Sequence, residues 1–183
     1  VVDFFDALDQ GFELKTGPDE PGRIKINQLI DALEDDDIDL NEIWGIVDEE
    51  SFYRFWAVEG LLSFWDGYSG NRNNFFIYLN PTTDRIHFMP WGADCMFEKY
   101  SQLGEDPKSP RAVRLQGLLA NRLYQIPSVR KKYARTMRKL LDQVWDEDAL
   151  LAETERIEAM VTPHLAKSQR RVKFDAIRGF IRN

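Results

Sequence analysis

Cysteine is nearly missing: Cys95 is the only one among 183 residues, so neither an intrachain disulfide framework nor a cysteine-rich zinc site can form. A lone thiol of this kind reads as a small core or near-surface side chain. Histidine is almost as scarce. His87 alternates with apolar residues in RIHFM and reads as an exposed strand residue, while His164 follows Pro163 with no visible partner. That leaves no zinc constellation. Positive charge is in deficit too, with 24 Lys and Arg against 31 Asp and Glu, a net charge of -7 and a pI near 5. A general electrostatic hold on nucleic acid needs the opposite balance, so nucleic acid is not an expected partner. Nowhere do eighteen apolar residues follow one another, so no membrane span is expected in this chain. The opening VVDFFDALDQ also lacks the basic start and small-residue cleavage site of a signal peptide. Because the chain begins without an initiator Met, its compartment stays open, and an upstream signal peptide would imply a secreted or cell-surface protein.

What is present is apolar and aromatic: 43% hydrophobic residues, 13% aromatic, enough for one sizeable core. The expectation is therefore a single unit over residues 1–183. Apolar spacing predicts helices over 3–9 and 26–34, with the turn-rich GPDEPG at 17–22 as a breaker between them. A short helix near 41–47 and a longer one near 49–64 follow, the second with Asp48 or Ser51 as N-cap and Glu49 and Glu50 at its positive end. The period then changes. Residues 75–79 and 85–89 are two β-like runs separated by NPTTD, which predicts an antiparallel hairpin. Four helical segments close the chain, in RAVRLQGLLANRLYQ, SVRKKYARTMRKLLDQVW, DEDALLAETERIEAMVTPHL and VKFDAIRGFIRN. The class is α+β, mainly helical.

Two local patterns invite functional readings. Asp35, Asp37 and Asp39 alternate like the first ligands of a calcium loop, but Leu40 stands where the sharp-turn glycine is needed and Ile46 where the bidentate Glu is needed. The cluster Arg130, Lys131, Lys132, Arg135, Arg138, Lys139 shares a helix with Val129, Tyr133, Met137 and Leu140 on another face, and reads as a solvated helix surface. Its functional alternative is a docking surface for an acidic protein substrate.

The middle segment is more specific. WDGYSGNRNNFFIYLNPTTDRIHFMPWGADCMF holds Trp65-Asp66, then Asn74-Phe75-Phe76-Ile77-Tyr78, then Asn80-Pro81-Thr82-Thr83-Asp84, then Pro90-Trp91-Gly92-Ala93-Asp94 with Phe97. In order and spacing it resembles the signature region of the CotH (spore coat protein H) kinase family, with FYRFWAVEGLLSFW and FDAIRGFIRN more loosely similar on either side.

The resemblance implies an atypical protein-kinase-like C-terminal lobe that moves phosphate from ATP to a hydroxyl, usually of a protein Ser, with Mg or Mn. Such chemistry needs one carboxylate to orient or accept the hydroxyl proton, and an Asn with a second Asp to hold metal on the phosphates. Asp66 is the expected catalytic carboxylate. Asn74, by the family's Asn-aromatic pattern, or Asn71, by its separation from Asp66, is the expected nucleotide- and metal-binding amide. Asp94, expected with Asn74 as a metal ligand, would play the part of the DFG aspartate in ordinary kinases. Trp65, Trp91, Phe75 and Phe76 read as core residues rather than ligand platforms.

Two departures stand against this reading. Gly92 occupies the place where the family's PW motif usually has its first Asp. No Gly-rich phosphate loop or ATP-contacting Lys strand precedes the helices, so the nucleotide-covering lobe is expected upstream of residue 1. The competing expectation is a non-catalytic pseudokinase or a coat and surface interaction module.

Overall fold

The chain's architecture follows from where its helices are allowed to start and stop. In this computed structural model the described residues are 3–4, 11–97, 113–165 and 174–182; most of the helix expected over 3–9 lies outside them. Helix α1 (Asp19–Glu34) begins inside the expected breaker. Gly17, at φ 87, and Pro18 make the turn. Asp19, Glu20 and Pro21 then suit a first helical turn, where acids favour the positive dipole end and a missing proline N–H costs nothing.

Asp39 caps α2 (Leu40–Ile46) by accepting from Asn41 N at 2.8 Å, which gives one of the alternating aspartates an ordinary structural task. Asp48 caps α3 (Glu49–Leu61) by accepting from Ser51 N at 2.9 Å.

α3 is the centre of the fold. Phe52, Tyr53, Phe55, Trp56 and Ala57 are all buried. It stops before the expected Phe64, because Ser63 takes the left-handed conformation at φ 52 while Ser63 N bonds Gly60 O and Phe64 N bonds Glu59 O. This pair of bonds is a Schellman stop. Phe64 and Trp65 thereby lead away from the helix axis into the short helix α4 (Tyr68–Asn71).

Strands β1 (Phe75–Asn80) and β2 (Arg85–Pro90) pair antiparallel, with Phe75 opposite Pro90 and Ile77 opposite Phe88. Among the described residues this is the only sheet. Thr82 N donates to Asn80 Oδ1 at 2.9 Å, Asp84 takes φ 54, and Lys25 of α1 pairs with Asp84 at 2.8 Å. The inner hairpin face rests on α3, with Phe88 5.1 Å from Phe52 and 5.6 Å from Phe55 between ring centroids.

The helix expected over 111–125 is half right. Residues 113–116 are not helical, and α5 spans only Leu118–Tyr124. Their backbone groups are taken by distant partners: Trp56 Nε1 donates to Arg114 O at 2.9 Å, and Gln116 N donates to Ser69 O at 2.8 Å. α6 (Pro127–Gln143) packs Tyr133 against Trp56 at 4.3 Å, followed by α7 (Glu147–Val161), capped by Asp146, and α8 (Phe174–Ile181).

On α6, Arg130 serves the carbonyls of Tyr124 and Gln125, and Lys132 pairs with Glu49 at 2.8 Å. Two members of the basic cluster are thus structural. No helix among the described residues is long and apolar enough to cross a membrane.

Candidate functional site

Asp66 follows directly from the Schellman stop, as the single residue between Phe64-Trp65 and the α4 cap Gly67. The loop that returns from α4 to β1 folds its amides back onto it. Asn71 Nδ2 donates to Asp66 Oδ1 at 2.7 Å and Asn73 Nδ2 to the same oxygen at 3.3 Å. Asn74 Nδ2 donates to Asp66 Oδ2 at 2.8 Å. The return is made possible by two left-handed residues, Arg72 at φ 55 and Asn74 at φ 47. An asparagine adopts that conformation at low cost, whereas a non-glycine residue such as Arg72 has to be held there.

A carboxylate offers about four lone-pair sites. Three are engaged, which leaves capacity on Oδ2 for a further donor. No ion pair is formed by Asp66 among the described residues.

The structure thus brings together Asp66 with both of the expected amides, Asn71 and Asn74, rather than choosing between them. It adds Asn73, which the sequence did not single out. The amide run N-R-N-N on the far side of a short helix was the available signal.

Asp94 is reached through the end of the hairpin. Trp91 N donates to Asn74 O at 2.8 Å, and Gly92 comes so close that a Cβ on it would stand 3.3 Å from Asn74 Oδ1. Asp94 N bonds Gly92 O at 2.8 Å. The Asp94 carboxylate itself is exposed and makes no hydrogen bond to Asp66 or the three amides.

The expectation that Trp91 is a core residue is corrected: it is 60% exposed. The cause is strand parity, since residues 76, 78, 87 and 89 point away from α3 and 91 continues their row. Phe76 and Trp91 pack at 5.0 Å, beside Met89 and Tyr78, which are also exposed. Phe75 faces the core as expected, and Trp65 is half-buried. His87, expected to be exposed, is half-buried with its Nε2 enclosed and without a hydrogen-bond partner.

A family model described as CotH kinase protein matches residues 8–178. The chain belongs to the CotH kinase family. No curated protein matches it. Within the CotH frame, the amide-clasped Asp66, the hairpin and the Gly92-Ala93-Asp94 segment occupy one continuous stretch, Asp66 to Asp94.

Beneath the CotH loop lies Glu59, 2% exposed, whose carboxyl is pushed up to about 7 by burial while hydrogen bonds from Ser69 and Tyr68 and the charge of Arg114 pull the other way. Sequence reading did not single it out. The signal was there: Glu59 is the one charged residue between Arg54 and Asp66.

Metal chemistry must fit the donors present. Among the described residues no group of three or more His, Cys, Asp or Glu side chains is placed to hold an ion. One or two carboxylates and an amide oxygen suit Mg or Mn that arrives with phosphate oxygens, since Mg keeps waters and takes few protein ligands. They do not suit a resident ion held by protein alone.

Proposed function

We propose that this chain is the C-terminal, protein-kinase-like lobe of an ATP- and divalent-metal-dependent phosphotransferase that phosphorylates Ser hydroxyls of a protein. The observation that carries the reading is the state of Asp66: clasped by Asn71, Asn73 and Asn74, in no ion pair among the described residues, with acceptor capacity left on Oδ2.

In the proposed reaction the serine oxygen bonds to the γ-phosphorus as the bond from that phosphorus to the β–γ bridging oxygen breaks. ADP leaves, and the hydroxyl proton passes to Asp66. The three amides fix the carboxylate so that no reorganisation is needed at that moment. Asn74 Oδ1 and Asp94 would hold Mg or Mn, which when bound neutralises charge on the phosphates. Exposed Trp91, packed on half-buried Phe76 and joined to the site through the Trp91–Asn74 bond, offers an aromatic surface for the nucleotide base.

A pseudokinase or interaction module remains the second reading, favoured by one observation, the glycine at 92 in place of a carboxylate. Radiolabelled ATP with Mg or Mn, supplied to the full-length protein, should give phosphoprotein with the natural chain and not with Asp66→Ala. Equal labelling of both refutes the enzyme reading.

A further inference from the structure

Glu59 sits in the last turn of α3, the end where the helix dipole disfavours an anion, in an otherwise uncharged run from Phe55 to Trp65. Removing a carboxylate from water at such a place costs several kcal/mol unless donors replace its hydration. Three donors do, and all come from α4. Glu59 Oε1 accepts from Tyr68 N at 2.9 Å, and Oε2 accepts from Ser69 N at 2.8 Å and from Ser69 Oγ at 2.5 Å.

Gly67, the N-cap residue of α4, has no side chain with which to cap its own helix, and a Cβ placed on it would overlap Glu59 Oε1. The bare glycine and the carboxylate from α3 are two halves of one arrangement.

We propose that Glu59 is the positioning residue of the Asp66 loop, capping α4 from a neighbouring helix and thereby setting where Asp66 and its amide clasp stand. This rests on the phosphotransferase reading of Asp66. The link from Glu59 to Asp66 is short. Tyr68 lies two residues beyond Asp66, Asn71 N donates to Gly67 O at 2.9 Å, and Asn71 Nδ2 reaches Asp66 at 2.7 Å. Tyr68 is itself held at its far end, its hydroxyl donating to Asp3 Oδ1 at 3.2 Å and accepting from Leu119 N at 3.0 Å. The loop therefore has one fixed point in the aromatic core and one on Glu59. Freeing the second lets α4 pivot about the first.

The test is Glu59→Gln in the full-length protein. It keeps the shape but turns one accepting oxygen into an NH2 group that meets a backbone N–H. Ser69→Ala, which removes only one of the three donors, serves as the milder second variant should the first not fold. The expected result is a fall in kcat for phosphate transfer of about 10- to 100-fold for Glu59→Gln, the scale of a roughly 1 Å misplacement. Ser69→Ala should fall less, and the ATP KM should stay within about twofold in both. The side-chain amide resonances of Asn71, Asn73 and Asn74 should shift in both variants. Natural kcat and unmoved amide resonances in variants that have merely lost thermal stability would overturn the proposal, leaving Glu59 a fold residue. If the natural protein transfers no phosphate, the phosphotransferase reading fails by itself, and the amide resonances still decide whether Glu59 holds the loop.

Discussion

Lowering the pH from about 8 to about 5.5 should stabilise this fold, and Glu59 should be the main reason. A carboxyl whose ordinary value is 4.5 is pushed up to about 7 by complete burial. The folded protein thus binds this proton more tightly than the unfolded chain does. The destabilising contribution is fully present above about pH 7, shrinks as pH falls, and is gone below about 4.5. The gap between 4.5 and about 7, at about 1.4 kcal/mol per pH unit, gives about 3 kcal/mol in all. For a chain of this size that is on the order of 6–12 °C in Tm.

The groups facing Glu59 act around this burial: the Arg114 guanidinium favours the charged form, and the phenols of Tyr68 and Tyr133, raised chiefly by their own burial, are raised a little further by Glu59. Asp3, also raised by burial, adds the same sign. Urea unfolding followed by tryptophan fluorescence across this range, on the natural chain and on Glu59→Gln, measures the slope. A natural protein with pH-independent stability, or a Glu59→Gln variant with the same slope as the natural chain, refutes the reasoning. Activity should run the other way. The three donors from α4 match an ionised carboxylate, so the pH that loosens the fold is the pH at which the loop is clasped as described, a tension expected where strain is kept for function.

Asp66→Asn should lower kcat by about 10²- to 10⁴-fold while ATP affinity changes little, because a proton acceptor acts mainly in the transition state; equal losses in both would make Asp66 a metal or fold residue. Gly117→Ala should cost about 1–3 kcal/mol by overpacking, since its Cβ would stand 2.6 Å from Cζ of the buried Tyr68 ring, and an unchanged urea midpoint would contradict that packing. Gly92 stands at φ 54, so Gly92→Ala and Gly92→Asp should each lose about 1 kcal/mol of stability. Only Gly92→Asp should tighten Mn binding in the presence of ATP, as read by calorimetry, and equal Mn affinity in the two would remove position 92 from the metal's surroundings.

Features decided by neighbours in sequence were legible, and those decided by distant partners were not. The caps Asp48 and the NPTTD turn act within three or four residues, so composition and spacing announce them. Residues 113–116 have the apolar spacing of a helix, yet their backbone groups are claimed by Trp56 and Ser69, more than forty residues away in sequence. No periodicity records such a claim. The exposure of Trp91 was hidden for a related reason: an apolar run tells that a strand pairs, while which face meets α3 depends on register against Phe88 and Ile86, and a shift of one residue would invert it. At the site, the family motif pointed to Asp66 and Asn74, and the spacing from Asp66 pointed to Asn71. Neither pointed to Asn73 or Glu59, whose importance is geometric. Glu59 was nonetheless visible as a breach of rule, a lone acid near the C-terminal end of an apolar helix. Such a breach is tolerated only where specific donors are waiting, and here every one of them belongs to the helix that follows Asp66.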